Sequence, residues 1–147
     1  MHLKIEKIIE YCLANNILLT NQQSLIIKII TEIASPLTAN EILHELQKLN
    51  PKANRMTIHR ALEILVKNGI IHKVAFNHTY KLCDHLYCKH DHHCQILVCQ
   101  ECGNQTEIHN LKITEALLEI GKTYNFNLAN PLEITGLCTK CQMKGTL

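Results

Sequence analysis

Arg55-Met56-Thr57-Ile58-His59-Arg60-Ala61-Leu62-Glu63-Ile64-Leu65-Val66-Lys67-Asn68-Gly69 is the stretch whose reading decides the fold. Ile58, Ala61, Leu62 and Leu65 recur at i, i+3, i+4 and i+7, which puts them on one face of a helix. Gly69 stands where a C′ residue ends such a helix. Two short β-prone runs follow, Ile70 to Val74 and Thr79 to Cys83, with a turn at Ala75 to His78 between them, so a β-hairpin is expected there. On the upstream side, Thr38 and Glu41 form a Thr-x-x-Glu capping box at the start of a helix carrying Ile42, Leu43, Leu46 and Leu49, which Asn50 and Pro51 end. Two further helices precede it: Leu3 to Asn15, and a run after Thr20 with Leu25, Ile26, Ile29, Ile30 and Ile33, broken by Pro36. Helix, turn, helix and hairpin in that order describe a winged helix-turn-helix, with the 55–68 helix placed to enter a DNA major groove.

The grammar changes after Cys83. A segment dense in His and Cys reads as a hinge and metal-binding loop over 84–93. Strands are expected near Gln95 to Cys99 and Gln105 to His109, a helix over Lys112 to Thr123, and a last strand near Leu132 to Thr135. A sheet this small usually needs a partner, so 94–147 reads as a dimerisation domain. The expected class is α+β: an N-terminal winged helix-turn-helix domain over 1–83, followed after the hinge by a small α/β domain.

Composition agrees with that picture and narrows the alternatives. The 147 residues carry a formal charge of +2, with nine Lys/Arg against six Asp/Glu in residues 1–80 and six against seven in the rest. That asymmetry permits contact with nucleic acid without requiring it. Residues 2–13 mix charges among their aliphatics, and no run approaches the ~20 apolar residues of a membrane span. A cytoplasmic protein with no membrane partner is expected. In that compartment eight cysteines stay mostly reduced, and cysteine pairs at short spacing favour a metal over a disulfide.

Two such pairs stand out, Cys99-Gln100-Glu101-Cys102 and Cys138-Thr139-Lys140-Cys141. The spacing lets two thiolates from one tight turn take adjacent corners of a tetrahedron, and Gly103 and Gly136 relieve the turns. Four thiolates leave no open position, so Cys99, Cys102, Cys138 and Cys141 are expected to hold a structural Zn(II) with no catalytic role.

With both halves in view, the chain resembles the ferric uptake regulator family along nearly its whole length, and within it the zinc uptake regulator branch. Thr57-Ile58-His59-Arg60-Ala61-Leu62 is similar to the family's Thr-Val-Tyr-Arg-Ala-Leu recognition helix, and Gly69-Ile70-Ile71-His72-Lys73-Val74 follows it. His72-Lys73-Val74, Tyr80-Lys81-Leu82-Cys83 and Gly136-Leu137-Cys138-Thr139-Lys140-Cys141 point to the zinc branch. The family's Thr-Pro-Gln-Arg is Thr20-Asn21-Gln22-Gln23 here, and its recognition-helix Tyr is His59. Where the family often has a histidine of an additional metal site stands Leu128-Ala129-Asn130-Pro131, so no such site is expected there.

The resemblance implies a zinc-responsive repressor that binds double-stranded operator DNA as a homodimer and controls zinc uptake genes. It also implies a second, regulatory Zn(II) per chain, held by His72, Cys83, a histidine of the His90-Asp91-His92-His93 cluster and Glu107. Counting back from Cys99 favours His92, with His93 as the alternative. Cys88 and Cys94 have no family role, and either could replace Cys83 as the sulfur ligand or be oxidised; Cys12 reads as a core residue. Arg60 is the expected base-reading residue, because arginine takes guanine O6 and N7 bidentately, with His59 and Thr57 beside it. Arg55, Lys52 and Lys73 are placed for phosphates. An iron- or peroxide-responsive regulator would use less thiolate, and a zinc-buffering protein would not respond through DNA. A hydrolase is excluded by the absence of a His-Glu-x-x-His helix, a Gly-rich phosphate loop and a nucleophile elbow, and no small-molecule substrate is expected.

Overall fold

The computed structural model describes residues 2–86, 93–128 and 131–145. The chain divides into two compact units, Met1–Tyr87 and Cys88–Leu147. No helix among the described residues is long and apolar enough to cross a membrane.

The first unit runs α1 (His2–Ala14), α2 (Asn21–Ile33), β1 (Leu37–Thr38), α3 (Ala39–Leu49), α4 (Arg55–Lys67), β2 (Ile71–Val74) and β3 (Thr79–Leu82). Reciprocal capping boxes start three of these helices. Thr20 pairs with Gln23 at α2, Thr38 with Glu41 at α3, and Asn54 with Thr57 at α4. Each box satisfies two backbone N–H groups that the first helical turn leaves without partners. The end of α4 is as well defined. Gly69, at φ 70°, donates to Val66 O at 2.9 Å, and Ile70 donates to Leu65 O at 3.0 Å. That is a Schellman motif, closed by the apolar pair Leu65 and Ile70, both fully buried. It turns the chain directly into the hairpin.

The core of this unit gathers Ile26 of α2, Ile42 and Leu46 of α3, Ile58, Leu62 and Leu65 of α4, and Ile71 and Val74 of β2. Tyr11 of α1 donates its hydroxyl to Asn68 O at 2.9 Å, fastening the first helix to the end of the fourth. The hairpin pairs Ile71 with Leu82, His72 with Lys81, Lys73 with Tyr80 and Val74 with Thr79. β1 adds a third strand on the far side of β3, giving the order β1-β3-β2. Two residues carry too little pattern to announce a strand, and Thr38 doubles as the α3 cap.

The second unit runs β4 (Gln95–Cys99), β5 (Gln105–Ile108), α5 (Leu111–Tyr124), β6 (Leu132–Gly136) and α6 (Thr139–Lys144). β4 is central, antiparallel to β5 and parallel to β6. Gln95, fully buried, ties α5 to this sheet: its amide donates to Thr114 Oγ1 at 3.1 Å and accepts from Asn110 N at 2.9 Å.

Because Leu62 is fully buried while Ile64 is 45% exposed on the same helix, their truncations should separate. Leu62→Ala is expected to cost about 2–5 kcal/mol of unfolding free energy, the usual range for a buried leucine. Ile64→Ala should cost well under that. Urea unfolding followed by circular dichroism in excess zinc measures both.

Candidate metal centres and nucleic-acid interface

Parallel pairing of β4 with β6 sets Cys99 opposite Gly136, so both strands end on the same edge of the sheet. Gln100 N donates to Gly136 O at 2.8 Å and holds the two exits together. After β4 a tight turn closes through Gly103 N to Cys99 O at 2.9 Å, with Gly103 at φ 73°. This turn brings Cys102 back beside Cys99. After β6, Cys138 caps α6, and Cys141 lies in that helix's first turn.

The four sulfurs of Cys99, Cys102, Cys138 and Cys141 all lie within 4.8 Å of one another. Cys102 Sγ and Cys138 Sγ are 3.7 Å apart. A tetrahedron with ~2.3 Å zinc–sulfur arms has edges of about 3.8 Å, so the donors already stand at coordination spacing. The electrostatics are uneven. Hydrogen bonds from the backbone at Cys102 and then Cys138 lower the Cys99 thiol to about 6. Burial, and after it bonds with the neighbouring thiols, pushes Cys141 up to about 12. Cys138 N–H donates to Cys99 Sγ at 3.4 Å, as expected around a thiolate. Four thiolates on one dication fill every position and leave none for substrate.

Two further pairs of candidate metal donors occur among the described residues, one in each unit. In the first, His72 of β2 pairs across the hairpin with Lys81, and Cys83 follows β3, its N–H donating to Ile70 O at 2.9 Å. Opposed residues share a sheet face, so His72 and Cys83 are diagonal neighbours, and their donor atoms lie within 4.8 Å of each other. Both are buried. In the second unit, Glu107 of β5 pairs with Ile96 of β4, and Cys94 lies two residues before Ile96 on that same face. The Cys94 and Glu107 donor atoms also lie within 4.8 Å of each other. His92 lies outside the described residues, as do Cys88 and His90. His93 falls on the opposite face of β4, lining a cavity with Leu117, Leu118 and Gly121 of α5. Cys12 is buried in α1.

The helix α4 presents Arg55, His59 and Arg60 to solvent. Thr57 is different: its hydroxyl donates to Asn54 O at 3.0 Å and accepts from Asn54 N at 3.3 Å, so it serves the helix cap. Gln22 of α2 donates to that same hydroxyl at 3.3 Å and braces α4. Lys52 is exposed on the turn before α4, and Lys73 is exposed on β2 with its ammonium 6.0 Å above the Tyr80 ring. A cleft between the start of α3, α4 and the hairpin is lined by Arg55, His59, Lys73 and His78, with Asn40 and Tyr80. Among the described residues no carboxylate lines it, so its charge suits an anion. His78, at φ 54° in the hairpin turn, is the residue sequence reasoning missed. A turn histidine carries no periodic signal, and only the fold shows that it faces α4.

The Ferric uptake regulator family pattern matches residues 14–134. The zinc uptake regulation protein of Escherichia coli (strain K12) is 28% identical over 131 residues, covering 88% of this chain and 76% of that protein. The structure of a zinc uptake regulator complexed with zinc and DNA superposes with a TM-score of 0.83 at 24% identity, covering 97% of this chain and 95% of that one, a likeness of fold. The crystal structure of holo XcZur superposes at 0.81 with 25% identity, covering 95% and 96%. The chain therefore belongs to the ferric uptake regulator family of transcription regulators, similar to its zinc uptake regulators, and is not an enzyme.

Proposed function

We propose that this chain is a zinc-responsive transcriptional repressor of the cytoplasm, binding operator DNA of zinc uptake genes as a homodimer once a regulatory site is loaded. The observation that carries this reading is the His72 and Cys83 pair, buried and within 4.8 Å, built into the hairpin of the DNA-binding unit. An imidazole beside a thiolate is a donor set for zinc, where an iron or manganese sensor would favour oxygen donors.

Zinc, when bound, supplies four-coordinate bonding to imidazole, thiolate and carboxylate without redox chemistry. The cysteines at 99, 102, 138 and 141 then staple the second unit as its structural site. His72 and Cys83 provide two donors from the DNA-binding unit, and Glu107 belongs to the set in the second unit. Donors drawn from both units tie the hairpin to the dimerising part of the chain, and so restrict the spacing of two recognition helices across a dimer. Moving such an equilibrium from rare to dominant takes ~5.5 kcal/mol of differential binding, which transition-metal sites supply.

Dimerisation through the second unit is supported by the apolar surface it leaves open. Leu97 and Ile134, paired neighbours on β4 and β6, are 40% and 37% exposed, and Leu111, Leu118 and Ile120 of α5 are exposed as well. An uncovered apolar sheet and helix of this kind mark an interaction surface. Arg60 reads a base with His59 beside it, and Arg55 and Lys73, with Lys52 on the turn before α4, hold phosphates.

Three measurements test the proposal. Protein carrying only its structural zinc, titrated with Zn(II), Fe(II) or Mn(II) against a zinc-uptake promoter fragment in fluorescence anisotropy, should gain more than about a hundredfold in affinity with zinc alone. Indifference to zinc would remove the reading. Arg60→Ala should cost about 1–3 kcal/mol on the operator and far less on unrelated DNA, whereas Lys73→Ala should weaken both and lower the salt slope by about 1. At the structural site, Cys99 is already largely ionised at pH 7 and Cys141 is not. Zinc uptake there should therefore release fewer than four protons per site at pH 7. Loss of affinity should steepen as pH falls through about 6, where Cys99 also takes a proton. Calorimetry in buffers of different ionisation enthalpy reads that release.

A further inference from the structure

We propose that His78 is a further DNA contact of this chain: protonated, it holds a backbone phosphate from the turn of the hairpin, so that DNA binding takes up a proton. The inference rests on the DNA-binding reading and adds a residue from outside the recognition helix. The cleft that His78 lines lies wholly within the first unit. Asn40 comes to it from the start of α3, Arg55 and His59 from α4, and Lys73 and His78 from the hairpin. Arg55 and His59 stand one turn apart on the same helix face, and Lys73 adds its ammonium from β2. The acidic groups of the surrounding elements do not offset this charge. Glu41 of α3 accepts from Thr38 N at 2.7 Å, Glu45 takes Lys48 at 2.8 Å, and Asp84 takes Lys81 at 2.9 Å. Glu63 of α4 is not among the residues lining the cleft, and the first turn of α4 has no acidic residue. Arg55 in that first turn also opposes the helix dipole. Packing does not account for cations gathered in this way, whereas an anion between them does.

His78 stands at φ 54°, in the left-handed region. Glycine or asparagine meets that backbone requirement, so the turn itself does not ask for an imidazole. The side chain is exposed, yet its place is well defined. Thr79, the next residue, pairs with Val74 of β2 and with Thr38 of β1, and its hydroxyl donates to Asn77 Oδ1 at 2.7 Å. The short strand β1 therefore ties the end of the turn to the start of α3 and fixes His78 at the cleft. An imidazole near neutral pH exchanges between neutral and cationic forms. A phosphate oxygen accepts a hydrogen bond from either form, but pairs in charge only with the cation. Contact with phosphate thus moves a proton from solvent onto the His78 ring. Arg60 follows His59 directly on α4, which sets the cleft beside the face assigned to the groove and makes a DNA phosphate its occupant. Free phosphate shares that chemistry.

The test is fluorescence anisotropy of the full chain at saturating Zn(II), on a zinc-uptake promoter fragment and on unrelated DNA, from about pH 6.5 to about pH 8.5. At the lower pH, His78→Asn, which keeps the left-handed turn, should weaken both complexes by about three- to tenfold and lower the salt slope by about 1. The gap should close at the higher pH, where the wild-type ring has no proton to offer. Loss of zinc would act in the opposite direction, weakening DNA binding as pH falls. His78→Lys, charged throughout, should bind more tightly than wild type at the higher pH and flatten the pH dependence. Calorimetry in buffers of different ionisation enthalpy should show more protons taken up by wild type than by His78→Asn on binding DNA. Equal affinity, salt slope and proton uptake in the two proteins would overturn the proposal. An effect on the promoter fragment alone would make His78 a base reader and overturn the phosphate assignment. Equal proton uptake with inorganic phosphate in place of DNA, at matched ionic strength, would give the cleft to a free anion and overturn it too. Zinc-loaded wild type that binds no DNA would defeat the DNA-binding reading itself.

Discussion

Strands β4 and β6 run parallel, and the meeting of the thiols of Cys99, Cys102, Cys138 and Cys141 follows from that pairing. Parallel strands exit a sheet on the same edge, so a Cys-x-x-Cys turn after each delivers four thiols to one place. Antiparallel pairing would have put the two turns at opposite ends of the sheet. The cost is a long connection, because parallel neighbours need a crossover, and here β5 and α5 lie between them in the chain. Three strands and one long helix form a thin unit for so much connection. A metal across the open end of the β4 and β6 pair closes it where the backbone ladder stops, with Gln100 and Gly136 as the last bonded partners.

The same strand carries a cysteine at either end. Cys94 precedes β4 and Cys99 ends it, five residues apart, which is about 17 Å of extended chain. Their parity places them on opposite faces. The β4 and β5 register sets Cys94 and Glu107 on one shared face.

Local physics made much of this legible in the sequence. The helices at 55–67 and 39–49 were readable because apolar spacing, capping residues and terminators agree at each of them, and the Thr38 and Glu41 box forms as its spacing implies. The two Cys-x-x-Cys pairs were readable for a similar reason: the spacing itself states the geometry. Other features depend on tertiary partners. β1 is two residues long and exists only because β3 lies beside it. α6 is six residues of ordinary composition started at Cys138. Thr57 looked like a groove residue on a recognition helix, yet it is half of a capping box with Asn54, an assignment that requires knowing where the helix begins. Cys94 reads in the sequence only as a possible substitute for Cys83 or an oxidisable thiol, and strand register is what shows that it shares Glu107's face.

Register carries the same weight in the first unit. His72 and Lys81 oppose each other on one face of the hairpin, with Cys83 diagonal to His72, while Lys73 and Tyr80 oppose each other on the other face and line the basic cleft with Arg55 and His59. The β2 and β3 hairpin thus separates the His72 and Cys83 face from the Lys73 and Tyr80 face by single-residue alternation. A slip of one residue would exchange them, placing Lys73 among the soft donors and His72 in the cleft. The Schellman turn at Gly69 sets where β2 begins, and Ile71, fully buried against the helices, penalises any shift. A hairpin so constrained holds His72, Cys83 and Lys73 in one fixed arrangement.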